Sequence, residues 1–198
     1  MKTAALLFAA SFVLTALGLT FWGLGTYNEL VHKDETVNGA WAQVQNVYQR
    51  RLDLIPNLVE TVKGAAKYER ETLTAVTRAR AAATGLTADP EAFKDAQSLA
   101  RFEAAQSAFG GALSRLLVSL ERYPELRAHE GFQRLQSELA DTEDRIAQAR
   151  DHFNGVAMTY NAALRKQPAV LIARSSGFEP RAYFQAAAGA EQAPQVKF

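Results

Sequence analysis

Cysteine is absent from the 198-residue chain. Its absence excludes disulfides, thiol catalysis, thiolate metal sites and a lipid-modified N-terminal cysteine, and it leaves the redox compartment undecided. An excess of one charge is missing too, with 22 basic residues against 21 acidic ones and a formal net charge of +1. No basic stripe stands out to track phosphates, so nucleic acid is not an expected partner. There is no strand signal and no internal repeat. What fills the chain after residue 35 is Ala, Leu, Glu, Gln and Arg, the composition of long helices.

The first segment differs. From Thr3 to Asn28 no residue is charged, and Ala4–Thr26 is apolar or small throughout. As a helix it covers about 35 Å, enough to cross a hydrocarbon core of about 30 Å. Phe21, Trp22 and Tyr27 cluster at its far end, where aromatics favour the membrane–water interface. The competing reading is a cleaved signal peptide, with Ala16-Leu17-Gly18 as the cleavage site. The apolar run exceeds the usual signal core, which favours a retained single-pass anchor in a bacterial inner membrane, touching the bilayer through residues 4–26. Lys2 before the span against Lys33 among Glu29, Asp34 and Glu35 after it favours a cytoplasmic N-terminus.

Helical tracts follow. Trp41, Val44, Tyr48, Leu52, Ile55, Leu58/Val59, Val62, Ala66, Leu73 and Val76 form a seam of threes and fours with one lapse at Glu69. The seam keeps its phase through Pro56, which predicts one long helix over about 27–83, kinked near Pro56; a tight break there is the alternative. The kink would lie where a stalk leaving the membrane joins the helical body. Asp89 as N-cap and Pro90 at the first position open a second helix, which Pro124 stops. Gly110-Gly111 within it suggests a close helix crossing. A third helix over about Glu130–Lys166 carries Phe132, Leu135, Leu139, Thr142, Ile146, Ala149, Phe153, Val156, Tyr160 and Ala163. Val170–Phe184 reads as a mixed extension with a turn at Gly177. Short connections between long amphipathic helices dictate antiparallel neighbours. The expected fold is all-α: an elongated antiparallel up-and-down bundle of four-helix type with an N-terminal transmembrane helix. Its parts would be the anchor (1–28), the bundle (29–184) and a mobile tail (185–198).

Little chemistry is available. Glu29-Leu30-Val31-His32 has the spacing of a di-iron ligand pair, but the second copy such a site needs is missing. His129 stands isolated, and Asp151-His152 reads as a solvated face. No phosphate loop and no nucleophile elbow occurs. No enzyme activity, cofactor or metal is therefore expected. The one polar concentration is Arg50, Arg51, Asp53, Asn57 and Glu60 around Pro56. These residues either resolve the carbonyls that the proline frees and tie the helix to its neighbours, or form a recognition surface.

Tyr27-Asn28-Glu29-Leu30-Val31, Trp41, the run Gln49–Gly64 containing RRLDLIPNLVE, and Ala79-Arg80 resemble the LemA family. Tyr123-Pro124-Glu125-Leu126, Tyr160-Asn161, Gly177-Phe178 and Tyr183-Phe184 extend the resemblance over nearly the whole chain after the anchor. The chain departs from the family at Ala65-Ala66-Lys67-Tyr68-Glu69 and at His129, where asparagine often caps the last long helix. The resemblance implies a membrane-anchored four-helix antiparallel bundle without established enzymatic activity. It also implies partners such as a membrane metallopeptidase, and an N-terminus outside the cell. That is opposite to the charge balance, so both sides of the membrane remain open. The expected role is an interaction or scaffold module of the bacterial envelope. An oligomerising protein that remodels or organises membrane is the alternative.

Overall fold

A computed structural model describes residues 2–62 and 69–185, and no strand occurs among the described residues. The expected mobility of the tail from 186 on, and the departures at 65–68, lie outside them. Helix α1 (Lys2–Thr61) is followed by α2 (Arg70–Thr87), α3 (Ala96–Leu120), the short α4 (Pro124–Arg127), α5 (Glu130–Arg165) and α6 (Ala169–Ser175).

The sequence pattern divides α1 into two regimes without interrupting it. Leu6, Phe8, Phe12, Leu14, Leu19, Phe21 and Leu24 are all more than half exposed, and the segment is long and apolar enough to cross a membrane. Two of its hydroxyls are satisfied locally, Thr15 donating to the Ser11 carbonyl and Thr20 to that of Ala16, both at 2.9 Å. Burial begins at Leu30 and continues through Val37, Trp41, Val44, Tyr48, Leu52, Ile55, Leu58 and Val62. These positions recur on one helical face, which is why the same helix leaves the apolar segment and becomes a wall of the body.

α2 returns alongside α1, since Gln45 Nε2 donates to the carbonyls of Thr87 (2.7 Å) and Asp89 (3.1 Å). The predicted single helix over 27–83 is therefore corrected to two. The reversal lies beyond Thr61, and α1 passes Pro56 unbroken. Phase alone could not reveal it, because α2 resumes the apolar face that packs on the same core with Leu73 and Val76.

The second predicted helix starts later than expected. Asp95, not Asp89, caps α3, accepting from the backbone N–H of Gln97 (2.9 Å) and Ser98 (2.8 Å). Asp89 instead closes a turn by accepting from Glu91 N–H. α5 begins and ends as predicted, capped by His129, whose Nδ1 accepts from Gly131 N–H at 3.2 Å. On its seam Ala157 is fully buried and Val156 only partly.

The most extensive helix packing joins α1 to α5 and α2 to α3. Two apolar clusters fill the interior. In one, Trp41 is ringed by Phe93, Phe102, Phe153 and Phe184 at 5.1–6.1 Å between centroids. The other joins Leu52, Leu58 and Val62 to Phe109, Leu116 and Phe132. After α6 the chain turns at Gly177, whose φ of +74° suits glycine, and runs back along α5 as an extended strap. Asn161 accepts from Arg181 N–H and donates to its carbonyl, both at 2.8 Å. Two helical turns earlier, Asn154 does the same for Phe184 at 2.9 and 3.0 Å. Each asparagine thereby supplies the donor and acceptor that a neighbouring strand would offer.

The placement of Pro56 settles how its cost is met. A proline has no N–H to offer the carbonyl four residues back, here that of Leu52. Arg80 of α2 donates its Nε to that carbonyl at 2.8 Å. Arg50, Asp53 and Asn57 point to solvent and do not perform this task, which corrects the expectation placed on them. Pro56 also lies about 45 Å along α1 from Thr26 at 1.5 Å per residue, so it is not the junction between stalk and body. Arg80→Met is expected to cost about 1–3 kcal/mol by orphaning a buried acceptor. In a Pro56→Ala background, where the alanine N–H takes the Leu52 carbonyl, the same change should cost under about 1 kcal/mol. Denaturant unfolding of the four proteins checks this; equal costs in both backgrounds would contradict it.

Candidate functional site

The residues singled out around Pro56 do not converge. Arg51 turns inward and is 4% exposed, while Arg50, Asp53, Pro56, Asn57 and Glu60 lie on the outer surface. The split follows from helical geometry. Asn46, Arg50, Asp53, Asn57 and Glu60 step by fours and threes along one face, and Arg51 falls on the other side. The outer five form a polar stripe between roughly 30 and 50 Å along α1 from Thr26. Within it, Gln49 Nε2 donates to Asp53 Oδ1 at 2.7 Å, and Thr61 Oγ1 donates to the Asn57 carbonyl at 2.8 Å.

Arg51 organises a polar layer between the two apolar clusters, to which each long helix contributes. Its Nη1 donates to Glu143 Oε1 of α5 at 2.6 Å, and its Nη2 to Gln106 Oε1 of α3 at 2.7 Å. Gln106 Nε2 passes the chain on to Thr87 Oγ1 of α2 at 2.7 Å. The guanidinium lies 5.2 Å from the Tyr48 ring centre and 5.0 Å from that of Phe109, so aromatic faces share its charge.

Beside this layer an open cleft of about 780 Å³ is lined by Tyr48, Arg51, Glu103, Gln106, Ser107, Gly110, Gly111, Glu143, Ile146, Arg150 and Gln185. Gly110 and Gly111 serve it rather than a helix crossing. A Cβ at Gly110 would meet only Arg51 Nη1 at 3.9 Å, and one at Gly111 only Arg115 Nη1 at 3.7 Å. The expected close crossing is thus corrected: these glycines face side chains. Arg150 donates to Glu103 Oε1 at 2.9 Å and to the Gln185 carbonyl at 3.0 Å, with its guanidinium over Phe184. Burial pushes the Glu103 carboxyl up despite the Arg150 charge, and burial likewise raises the Tyr48 hydroxyl.

Both arginines of the cleft are engaged by carboxylates. Among the described residues no three His, Cys, Asp or Glu side chains converge in a way that could hold a metal. Glu29 and His32 are both exposed, and Glu29 pairs with Lys33 at 3.4 Å. Asp151 and His152 are exposed as a solvated face requires. Gln106, Glu143, Arg150 and Asn154 escaped sequence reading. Long-range polar partners leave no periodic trace, and the signal that reached Arg80 and Asn161 was the family resemblance alone.

A sequence model of the LemA family matches residues 40–198. Over 80 residues the chain is 40% identical to the magnetosome protein MamQ of Magnetospirillum gryphiswaldense, covering 40% of this chain and 29% of that protein. Magnetosome protein MamQ 2 of Paramagnetospirillum magneticum is 37% identical over 81 residues, 41% of this chain and 30% of the relative. Protein LemA of Metamycoplasma hominis is 24% identical over 157 residues, 79% of this chain and 68% of the relative. The matched stretch thus spans less than a third of each of these magnetosome relatives.

Proposed function

The chain belongs to the LemA family, and from that premise we propose that it is a membrane-anchored interaction module of the bacterial envelope. Residues 4–26 would cross the inner membrane once and remain uncleaved, with the body on either side of the bilayer. The long helices α1, α2, α3 and α5 would act as one up-and-down four-helix bundle. It would hold the stripe Arg50, Asp53, Asn57, Glu60 at a fixed height for a protein partner. A membrane metallopeptidase is the partner class that the family resemblance implies. No reaction and no nucleic-acid binding is assigned to it.

The observation that carries this reading is the separation of duties along α1. Arg51 and Arg80 do the internal work around Pro56, so Arg50, Asp53 and Asn57 of the same motif are left facing the exterior. A second reading, self-association within a membrane-organising array, draws on the stripe's charge pattern. With Arg50 toward one end and Glu60 at the other, an antiparallel copy anchored in a facing bilayer would bring unlike charges together. The magnetosome relatives make that reading worth testing. In a crosslinked pull-down from native membranes, Arg50→Glu/Asn57→Lys should lose the partner several-fold. Its unfolding free energy should stay within about 0.5 kcal/mol of the parent's, as for exposed helix sites. Capture of a distinct protein supports the scaffold, and self-crosslinks alone support the array. Undiminished recovery by the variant would contradict the stripe as the surface.

A further inference from the structure

α6 sits against the part of α1 that sequence and exposure mark as apolar span. A Cβ placed on Gly23 would meet Ile172 Cδ1 at 3.8 Å, and the rings of Tyr27 and Phe178 lie 5.7 Å apart. Gly23 falls about one helical turn inside the end of the apolar run at Thr26. α6 is therefore held at the depth where a bilayer's hydrocarbon meets its headgroups. Ala173 fastens it to the body at 2% exposure, while Leu171 projects outward at 65%. Arg165 and Lys166 precede Leu171 in the chain, Arg174 follows it, and all three are exposed. No acidic residue occurs from His152 through Phe178, so this segment carries three positive charges in a chain whose formal net charge is +1.

We infer that α6 with Arg165, Lys166 and Arg174 is a second membrane contact, seated in the headgroup layer of an anionic bilayer with Leu171 dipping into the acyl boundary. The inference rests on the reading of residues 4–26 as a membrane span. Charge complementarity selects the occupant: each basic residue near an anionic surface strengthens attachment roughly fivefold. An exposed leucine beside those charges fits a surface that is polar above and apolar below. The consequence is mechanical. Two contacts fix the tilt and rotation of the body about α1, which a single span leaves free.

The chain has no native cysteine, so single nitroxide labels can be placed on the full-length protein by Leu171→Cys, Leu14→Cys and Val118→Cys. The probe is accessibility to oxygen against a nickel chelate, in nanodiscs of phosphatidylcholine alone or mixed with phosphatidylglycerol. The 14 label should report hydrocarbon and the 118 label water. The 171 label should give an oxygen-to-nickel ratio several-fold above that at 118, rising further with phosphatidylglycerol. Arg165→Gln/Lys166→Gln/Arg174→Gln should abolish that rise. A 171 label in water in both lipids, with the 14 label in hydrocarbon, overturns this inference and leaves the anchor standing. A 14 label in water overturns the anchor and the inference together.

Discussion

Phe184→Ala is expected to destabilise the body by about 3–5 kcal/mol, the usual range for emptying a buried aromatic site. Phe184 is 6% exposed although it lies on an extended strap near the end of the described chain. It contacts Trp41, Phe102 and Phe153 with centroids at 6.1, 6.3 and 5.5 Å, and Arg150 covers its face at 4.6 Å. Removing the ring therefore empties the centre of one apolar cluster and strips Arg150 of a partner. Its neighbour Tyr183 is 40% exposed and its hydroxyl accepts one hydrogen bond from Asn161 Nδ2, so Tyr183→Phe should cost under about 1 kcal/mol. Urea unfolding of the detergent-solubilised chain, followed by helical circular dichroism, measures both. Equal small losses would mean that the strap is an ornament and not part of the core.

Arg51→Ala should cost about 3 kcal/mol, because it removes the centre of the polar layer and leaves buried partners behind. The loss will not be shared evenly. Glu143 is half exposed and water can replace the guanidinium there, whereas Gln106 is 3% exposed and would keep an orphaned carbonyl oxygen. Glu143→Gln alone should thus cost under about 1 kcal/mol, as for a partly solvated ion pair. Gln106→Ala should couple to Arg51→Ala by at least about 1 kcal/mol in a double-mutant cycle. Arg51→Met, which refills the space between Tyr48 and Phe109 without a charge, should recover part of the loss. Additive effects at 51 and 106 would show that the layer is not one network.

How much could be read in advance differs by kind of interaction. The buried face of α1, the seams of α3 and α5, and the exposed apolar start were legible because burial imposes a period on the sequence. The reversal between α1 and α2 was not, since both helices turn apolar faces to one core and the phase runs on across the turn. The cap of α3 was misplaced because Asp89-Pro90 and Asp95 both carry start signals, and only packing of Ala92 and Phe93 decides between them. Around Pro56 the motif drew attention to the right stretch but to the wrong donors. The partner of the freed carbonyl stands 28 residues away at Arg80, a distance no local pattern encodes. The same holds for Arg51, whose identity is visible in the motif while its partners Gln106 and Glu143 are not.

The proposal that the outer stripe of α1 is the working surface is tested most directly by photocrosslinking from that stripe in native membranes. A photoreactive amino acid at Asn57, exposed and between Asp53 and Glu60, is compared with one at Met158 on the outer side of α5, 61% exposed. The account predicts a discrete crosslinked species from position 57 that is absent from 158 and disappears when Arg50→Glu is added. Equal labelling from both positions, or none from 57 while 158 crosslinks, would contradict it.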